Sequence, residues 1–293
     1  MTAGRCRSGD LRWSVRSLAV AGAALALAVS CAPRPTLVVP LDGGARGARY
    51  LAGVLERERG AGLVEASVML WARTRAGVPG PAGPVRDASA LRPLPAVQVD
   101  LRLGWPDAFR VRLAPVFGVA LDVAVRGDSL VAFAPAQRSG LALDAVRDSL
   151  GVEAPGRLLV RLWSATWRPP PEAWTAAGWD GDLLLARWEE SGDSLAVAVD
   201  GNGRPAWARM ARPDGRGARA TYGRWERVDG VAWPVLLRLD ALDGSFMLTS
   251  RMDHLRLGAR QDSSRFVLQL PAGTRRLELA RLGLLLDVLG SAR

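Results

Sequence analysis

The chain has 293 residues, of which 49% are hydrophobic and 23% charged, enough apolar content to build a core and to exclude global disorder. Its net charge of +10 is carried by arginine alone, because no lysine occurs among the 39 basic residues. Acidic residues are interspersed with the arginines, which argues against a nucleic-acid partner and leaves attraction to anionic headgroups as the reasonable meaning of the charge. Cys6 and Cys31 are the only cysteines, so the chain beyond them has no disulfide, thiolate metal site or cysteine nucleophile.

Residues 1–30 read as a secretory signal. Arg5, Arg7, Arg12 and Arg16 stand against Asp10, and Leu18 to Val29 then runs without a charge into Ala28-Val29-Ser30 and Cys31. That is a positive region, a short apolar region and small residues at a cleavage point. The apolar run falls well short of the roughly 20 residues that span a bilayer as a helix. A cysteine directly after small residues resembles the lipobox of bacterial lipoproteins, with Ala28 where Leu is usual. The resemblance implies a diacylglyceryl thioether on Cys31 and cleavage just before it; the alternative is an ordinary signal with an incidental cysteine. Ala32 after the cysteine points, by analogy with proteobacterial sorting, to the outer membrane. Loss of the leader removes four Arg and one Asp, which takes +3 from the +10 and leaves about +7.

Residues 31–48 contain Pro33, Pro35, Pro40 and Gly43-Gly44 and read as a tether. A single domain is expected over 49–274. It begins with a helix from Tyr50 to Arg59 that places Leu51, Val54 and Leu55 on one face. Pro and Gly crowd the stretch 77–95, a loop. The period then changes to two. Val97, Val99, Leu101, Leu103 and Trp105 alternate with polar residues, as do Phe109, Val111 and Leu113, then Val119 to Val125. Residues 141–150 and 157–167 read as helices, followed by Pro169-Pro170-Pro171. Strand-like runs resume at 183–188, 195–199, 206–211, 218–227, 231–239, 245–257 and 265–270. Asp200-Gly201, Asp214-Gly215, Asp229-Gly230 and Asp243-Gly244 suit tight hairpins between them. Pro234 marks an edge or a bulge. The tail, 275–293, reads as a packed helix. These patterns predict a mostly β protein with some α, a curved antiparallel sheet or incomplete barrel covered by helices.

Catalytic signals are weak. Gly-Asp-Ser-Leu occurs at Gly127–Leu130 and Gly192–Leu195 and resembles the signature of the GDSL esterases, but the nucleophile needs an oriented base. His254 is the only histidine, and Asp253 beside it on a strand points to the other face. Both copies adjoin strand-like runs, where Gly-Asp-Ser makes a turn. Gly201-Asn202-Gly203-Arg204-Pro205-Ala206 mimics a dinucleotide loop, yet Pro205 and the following strand make it a hairpin. One histidine makes no zinc site, and no cofactor is implied. Trp163, Trp167, Trp174 and Trp179 cluster around the Pro run, either as core filling or as walls of an apolar groove.

Pro106-Asp107-Ala108-Phe109-Arg110-Val111, Pro115-Val116-Phe117-Gly118, Gly127 to Pro135, and Phe266-Val267-Leu268-Gln269-Leu270-Pro271-Ala272-Gly273 follow one another in an order that resembles the LolA/LolB-like superfamily of periplasmic lipoprotein carriers and receptors. Trp105 stands where the carriers have a basic residue before the Pro. The resemblance implies an incomplete antiparallel β-barrel closed by helices around an apolar cavity. It implies a lipid-anchored, non-enzymatic, monomeric carrier or receptor of acylated lipids or lipoproteins. On that reading Val99, Leu101, Leu103, Trp105, Phe109, Val111, Leu113, Phe133 and Phe266 line the cavity. The competing expectation is an envelope lipoprotein whose barrel is packed solid and whose outer face binds a protein. Metabolic labelling with an acyl probe should tag the wild type and leave Cys31→Ala unlabelled; tagging of both would remove the lipobox reading.

Overall fold

The alternating runs assemble into one sheet. The computed structural model describes residues 43–75, 91–114, 118–144, 154–258 and 262–277. Signal, Cys31, most of the 77–95 loop and the tail beyond residue 277 lie outside them. The first half of the sheet comprises β1 (Leu63–Arg75), β2 (Leu91–Pro93), β3 (Val97–Gly104), β4 (Ala108–Leu113), β5 (Leu121–Arg126), β6 (Ser129–Ala134) and β7 (Ser139–Asp144). The second comprises β8 (Gly178–Asp180), β9 (Leu183–Glu190), β10 (Asp193–Val199), β11 (Pro205–Ala211), β12 (Gly217–Val228), β13 (Val231–Ala241) and β14 (Phe246–Leu257), with β15 (Arg275–Arg276) last. The spatial order is β15-β7-β6-β5-β4-β3-β1-β14-β13-β12-β11-β10-β9-β8, and β2 pairs with β1. Each half is a meander, and β1 with β14 welds the two. Only β15 on β7 is parallel. The result is a single curved, unclosed antiparallel sheet with β8 and β15 as its free edges.

Among the described residues three helices accompany it: α1 (Gly43–Gly60), α2 (Pro155–Ser164) and α3 (Pro171–Thr175). α1 buries Tyr50, Val54 and Arg57, spaced four and three residues apart on one stripe. Leu55, expected on that stripe, is exposed. The face of the sheet that meets the helices is here called inner. Cross-strand register places Leu101 opposite both Ala66 and Val111, and Leu103 opposite both Val64 and Phe109, so one inner row continues from strand to strand. One hydrophobic core runs under both halves, from Val125 and Phe109 through Val68 to Trp233, Val197 and Ala186.

Several expectations need correction. α1 starts at Gly43, inside the stretch read as tether. Residues 139–144, where a helix was expected from 141, pair as β7, because Leu141 and Leu143 alternate onto the inner face opposite Ala132 and Leu130. α2 ends at Ser164, three residues early, at an Ala165 in the left-handed region. Residues 265–270 are not a strand. Ser263–Phe266 form a 3-10 turn whose N-cap Asp262 accepts from the Ser264 amide at 3.0 Å. Pro234 does sit at an irregularity: β13 pairs with β14 only from Leu236 to Asp240, so the Pro lies beyond that ladder. Asp229-Gly230 turns with both residues at positive φ, as expected of a two-residue hairpin.

The segment 262–277 crosses the outer face of the first half as a strap. Phe266 lies between Leu63 and Ala108 over Gly104, where a Cβ would sit 2.7 Å from its ring. Arg110 grips Asp122 with a fork of two hydrogen bonds, 2.9 and 2.7 Å, and donates a third to the Arg265 carbonyl. The carboxylate of Asp122, hydrogen-bonded to it, holds the Arg110 guanidinium above its ordinary pKa. On the inner side, the start of α2 docks on the β5–β6 turn through backbone: the Gly156 amide donates to Gly127 O at 3.0 Å. A Cβ at Gly156 would fall on the Asp107 carbonyl and within 2.9 Å of the Gly127 nitrogen. Gly156→Ala should therefore cost about 1–3 kcal/mol of stability in chemical denaturation, the range of overpacked sites; an unchanged midpoint would refute this docking.

Candidate functional site

Six of the nine residues expected to line a cavity share the inner face: Val99, Leu101, Leu103, Phe109, Val111 and Leu113. α2 covers them, with Trp163 against Phe109 at 6.1 Å between ring centroids. Trp105 lies in the β3–β4 turn, half-buried, beside a cis peptide to Pro106. Phe133 and Phe266 lie on the other side of the sheet. Phe133 pairs across β5 with Asp122 and across β7 with Gly140, both outer positions. Phe133 stands beside Gly140, over which Leu270 of the strap lies, and Phe266 belongs to the strap itself, so neither forms part of the inner wall.

The C-terminal end of α2 is held by a chain of buried polar contacts. Tyr50 Oη donates to the Trp167 carbonyl at 2.6 Å, Trp167 Nε1 donates to Tyr222 Oη at 2.7 Å, and Tyr222 donates to the Leu162 carbonyl at 3.0 Å. Arg57, only 2% exposed, donates to the Ala165 carbonyl at 3.1 Å and lies over the Trp225 ring. A cation placed there complements the negative end of the helix dipole. Burial lowers the Arg57 pKa and raises those of Tyr50 and Tyr222, so both phenols stay protonated and able to donate. Trp225 reaches this cluster because Arg224 turns through the left-handed region, φ 41, just before it.

Between the N-terminal half of α2 and β9–β11 opens a cleft of about 380 Å³. Leu158, Trp167, Leu195 and Met210 form its floor, and Arg157, Arg161 and Arg212 stand on its rim with Glu190 and Asp193. Arg161 is paired with Glu190 at 2.8 Å. An apolar floor beneath convergent charged groups is the ordinary form of a site for an amphiphile. Of these residues the sequence drew attention to Trp167, through the tryptophan cluster, and to Gly192, Asp193 and Leu195, through the second Gly-Asp-Ser-Leu copy, which was read as a turn. The others come from three separated stretches, 154–161, 190–195 and 210–213, that only the fold brings together.

The two Gly-Asp-Ser-Leu copies are turns. Asp128 Oδ1 accepts from the Ala154 amide at 2.8 Å and so orients the entry to α2. Gly192 turns β9 into β10 at φ 82. Ser129 on β6, Ser194 on β10 and His254 on β14 stand several strands apart in the sheet, so neither motif serine meets the histidine. His254 is exposed, at φ 53. Among the described residues no group of three His, Cys, Asp or Glu is placed to hold a metal ion.

No protein-family model matches the sequence, and no curated protein is similar to it. The chain is similar in structure to a LolA superfamily protein from Nitrosomonas europaea, at 12% identity and a TM-score of 0.45 over 76% of this chain and 97% of the other. It is also similar to a putative outer membrane lipoprotein-sorting protein domain from Vibrio parahaemolyticus, at 11% identity and a TM-score of 0.46 over 76% and 96% of the two chains. A domain-of-unknown-function protein from Desulfovibrio piger gives 8% and 0.42, covering 76% of this chain and 97% of that one. Within the site, the link most open to test is Tyr222. Tyr222→Phe leaves the buried Trp167 N–H without its acceptor and should cost about 1–3 kcal/mol in denaturant unfolding; a cost near zero would mean the chain of contacts does not hold α2.

Proposed function

We propose that the protein is a lipoprotein of the cell envelope, anchored through acylated Cys31 to the periplasmic face of the outer membrane, and that it carries or receives acyl chains. The single observation behind this reading is the cleft beside α2, whose apolar floor is continuous with the core and whose rim carries three arginines against Glu190 and Asp193. An amphiphile with an acidic head matches that order of surfaces. The chain would enter over Met210 and Leu195, with the head among Arg157, Arg161 and Arg212. Val99, Leu101, Leu103, Phe109, Val111 and Leu113 form the wall behind α2 that a longer guest would reach if the helix shifted. The role is binding and transfer without covalent chemistry.

A second reading is supported by a different observation. Tyr50, Trp233, Leu101 and Leu103 are essentially inaccessible, so the inner face is filled by the protein's own side chains. On this reading the barrel is a rigid envelope module and its partner is a protein. The two separate cleanly. Wild-type protein should take up a pyrene-labelled fatty acid saturably and retain lipid in native mass spectrometry. Met210→Glu, which places a charge on the cleft floor, should weaken the uptake about tenfold, the loss expected from about 1.4 kcal/mol. Absence of both uptake and retained lipid, with crosslinking to one stable protein partner, would decide for the second reading.

A further inference from the structure

The outer face of the second half carries a pattern that neither the core nor the cleft uses. Register lines up Arg187, Ala196, Arg209, Arg219, Asp240, Met247 and Arg73 in one row across seven strands from β9 to β1. Six strand steps at about 4.8 Å make that row about 29 Å long, measured along the sheet. Arg209 and Arg219 are direct cross-strand partners. Like charges in that relation destabilise a sheet, so their pairing is a cost to the fold. Among the described residues no carboxylate lies within ion-pair distance of Arg187, Arg209, Arg219 or Arg73.

The neighbouring row runs through Trp207, Thr221, Arg238, Thr249 and Trp71. Arg219 lies over the Trp207 ring at 4.4 Å, and Arg251 is 6.0 Å from the centre of the Trp71 ring. Trp71 is 39% exposed, a large value for tryptophan on a sheet face. Beside it a shallow groove of about 410 Å³ has Trp71, Met247 and Leu94 for walls and Arg73 and Arg238 at its margin. The acids on this face are few, and Asp240 and Asp253 are engaged by Arg238 and Arg251. The strap lies over the outer side of β7, β4 and the Leu63 end of β1; among the described residues the outer face from β9 to the Arg73 end of β1 is bare.

We propose that this arginine–tryptophan face docks on a bilayer surface rich in anionic headgroups, independently of Cys31 and of any guest in the cleft. Charge complementarity carries the choice of partner. A row of exposed guanidinium groups meets phosphates in the plane of a membrane. Tryptophans with exposed edges sit at the headgroup level, where an apolar body and a polar N–H are both satisfied. The groove at Trp71 has the apolar walls and cationic margin that one lipid headgroup and its first acyl carbons would fill.

The test uses the full chain carrying Cys31→Ser, so that no lipid anchor contributes. Flotation with vesicles of phosphatidylcholine alone gives the background due to the apolar leader, and vesicles with phosphatidylglycerol added give the signal. Arg187→Glu, Arg209→Glu and Arg219→Glu combined should lower partitioning onto the anionic vesicles by about tenfold or more. Arg59→Glu, Arg126→Glu and Arg275→Glu combined match the change in net charge elsewhere on the surface, and should change it by less than about twofold. Equal losses in the two triples, or none in the first, would overturn the proposal. Should the first triple not fold, Trp71→Ala with Trp207→Ala and the salt dependence of the wild type decide. Both the double variant and high salt should release the protein, and retention in both cases would refute docking here. Capture of the wild type by a soluble polyanion while anionic vesicles stay unbound would reassign the face and refute it as well.

Discussion

A sheet that does not close leaves two edges, and the chain has to travel from one to the other. It does so between β7, next to one edge, and β8, which is the other. A segment that leaves water on such a path must satisfy its own backbone groups. α2 does this along its length, but its last carbonyls have no partner within the helix. Arg57, Tyr50 and Tyr222 supply the missing partners for Ala165, Trp167 and Leu162. Arg57 and Tyr50 come from α1 and Tyr222 from β12, so the end of the helix is tied to both layers at once. Everything packed beneath α2, Phe109 and its inner-face neighbours included, depends on that attachment staying in place.

The two faces of the sheet then divide the chemistry. Inward, both halves share one apolar core. Outward, they differ. The first half is bound by the strap, with Phe266 over Gly104 and the Arg110–Asp122 fork beneath Arg265. Charge there is paired and partly buried, which is a structural use of arginine as a planar two-pronged donor. On the second half the arginines stand in a row without such partners. One residue type thus serves two ends in the same sheet, and register separates them.

Much of this was legible in the sequence because alternation at period two is a strong signal over six or more residues, and because Asp-Gly pairs mark where strands reverse. The six inner residues from Val99 to Leu113 follow from parity alone. Parity does not say which face is inner at Phe133, since that depends on where helices and strap lie. Phe266 was misplaced for the same reason: a residue in a 3-10 turn has no sheet face, and its environment is made by Leu63, two hundred residues earlier. Arg57 looks like a surface residue within Glu56-Arg57-Glu58-Arg59, yet its spacing from Tyr50 and Val54 places it on the buried stripe. The cleft was invisible for a different reason. The one motif among its residues, Gly-Asp-Ser-Leu at Gly192–Leu195, marks a turn and not a pocket, and their proximity to 154–161 and 210–213 exists only after α2 has crossed the sheet.

The energetics of a guest turn on where α2 is held and where it is not. Moving a chain of about 16 carbons out of water gains roughly 12 kcal/mol at about 0.8 kcal/mol per methylene. Between a bilayer and a protein interior most of that gain cancels, so the remaining difference is of the order of a few hydrogen bonds, each worth about 1 kcal/mol. The buried contacts that fix α2 lie at its C-terminal end. Its N-terminal half, beside the cleft, rests on the Gly156–Gly127 backbone bond and on Asp128. On the proposed reading, a guest entering over Met210 would work against that N-terminal attachment, with the C-terminal end of α2 as the fixed point. Packing that is solid at one end of α2 and shallow at the other is what a cover must have if it is to yield without the sheet beneath it unfolding.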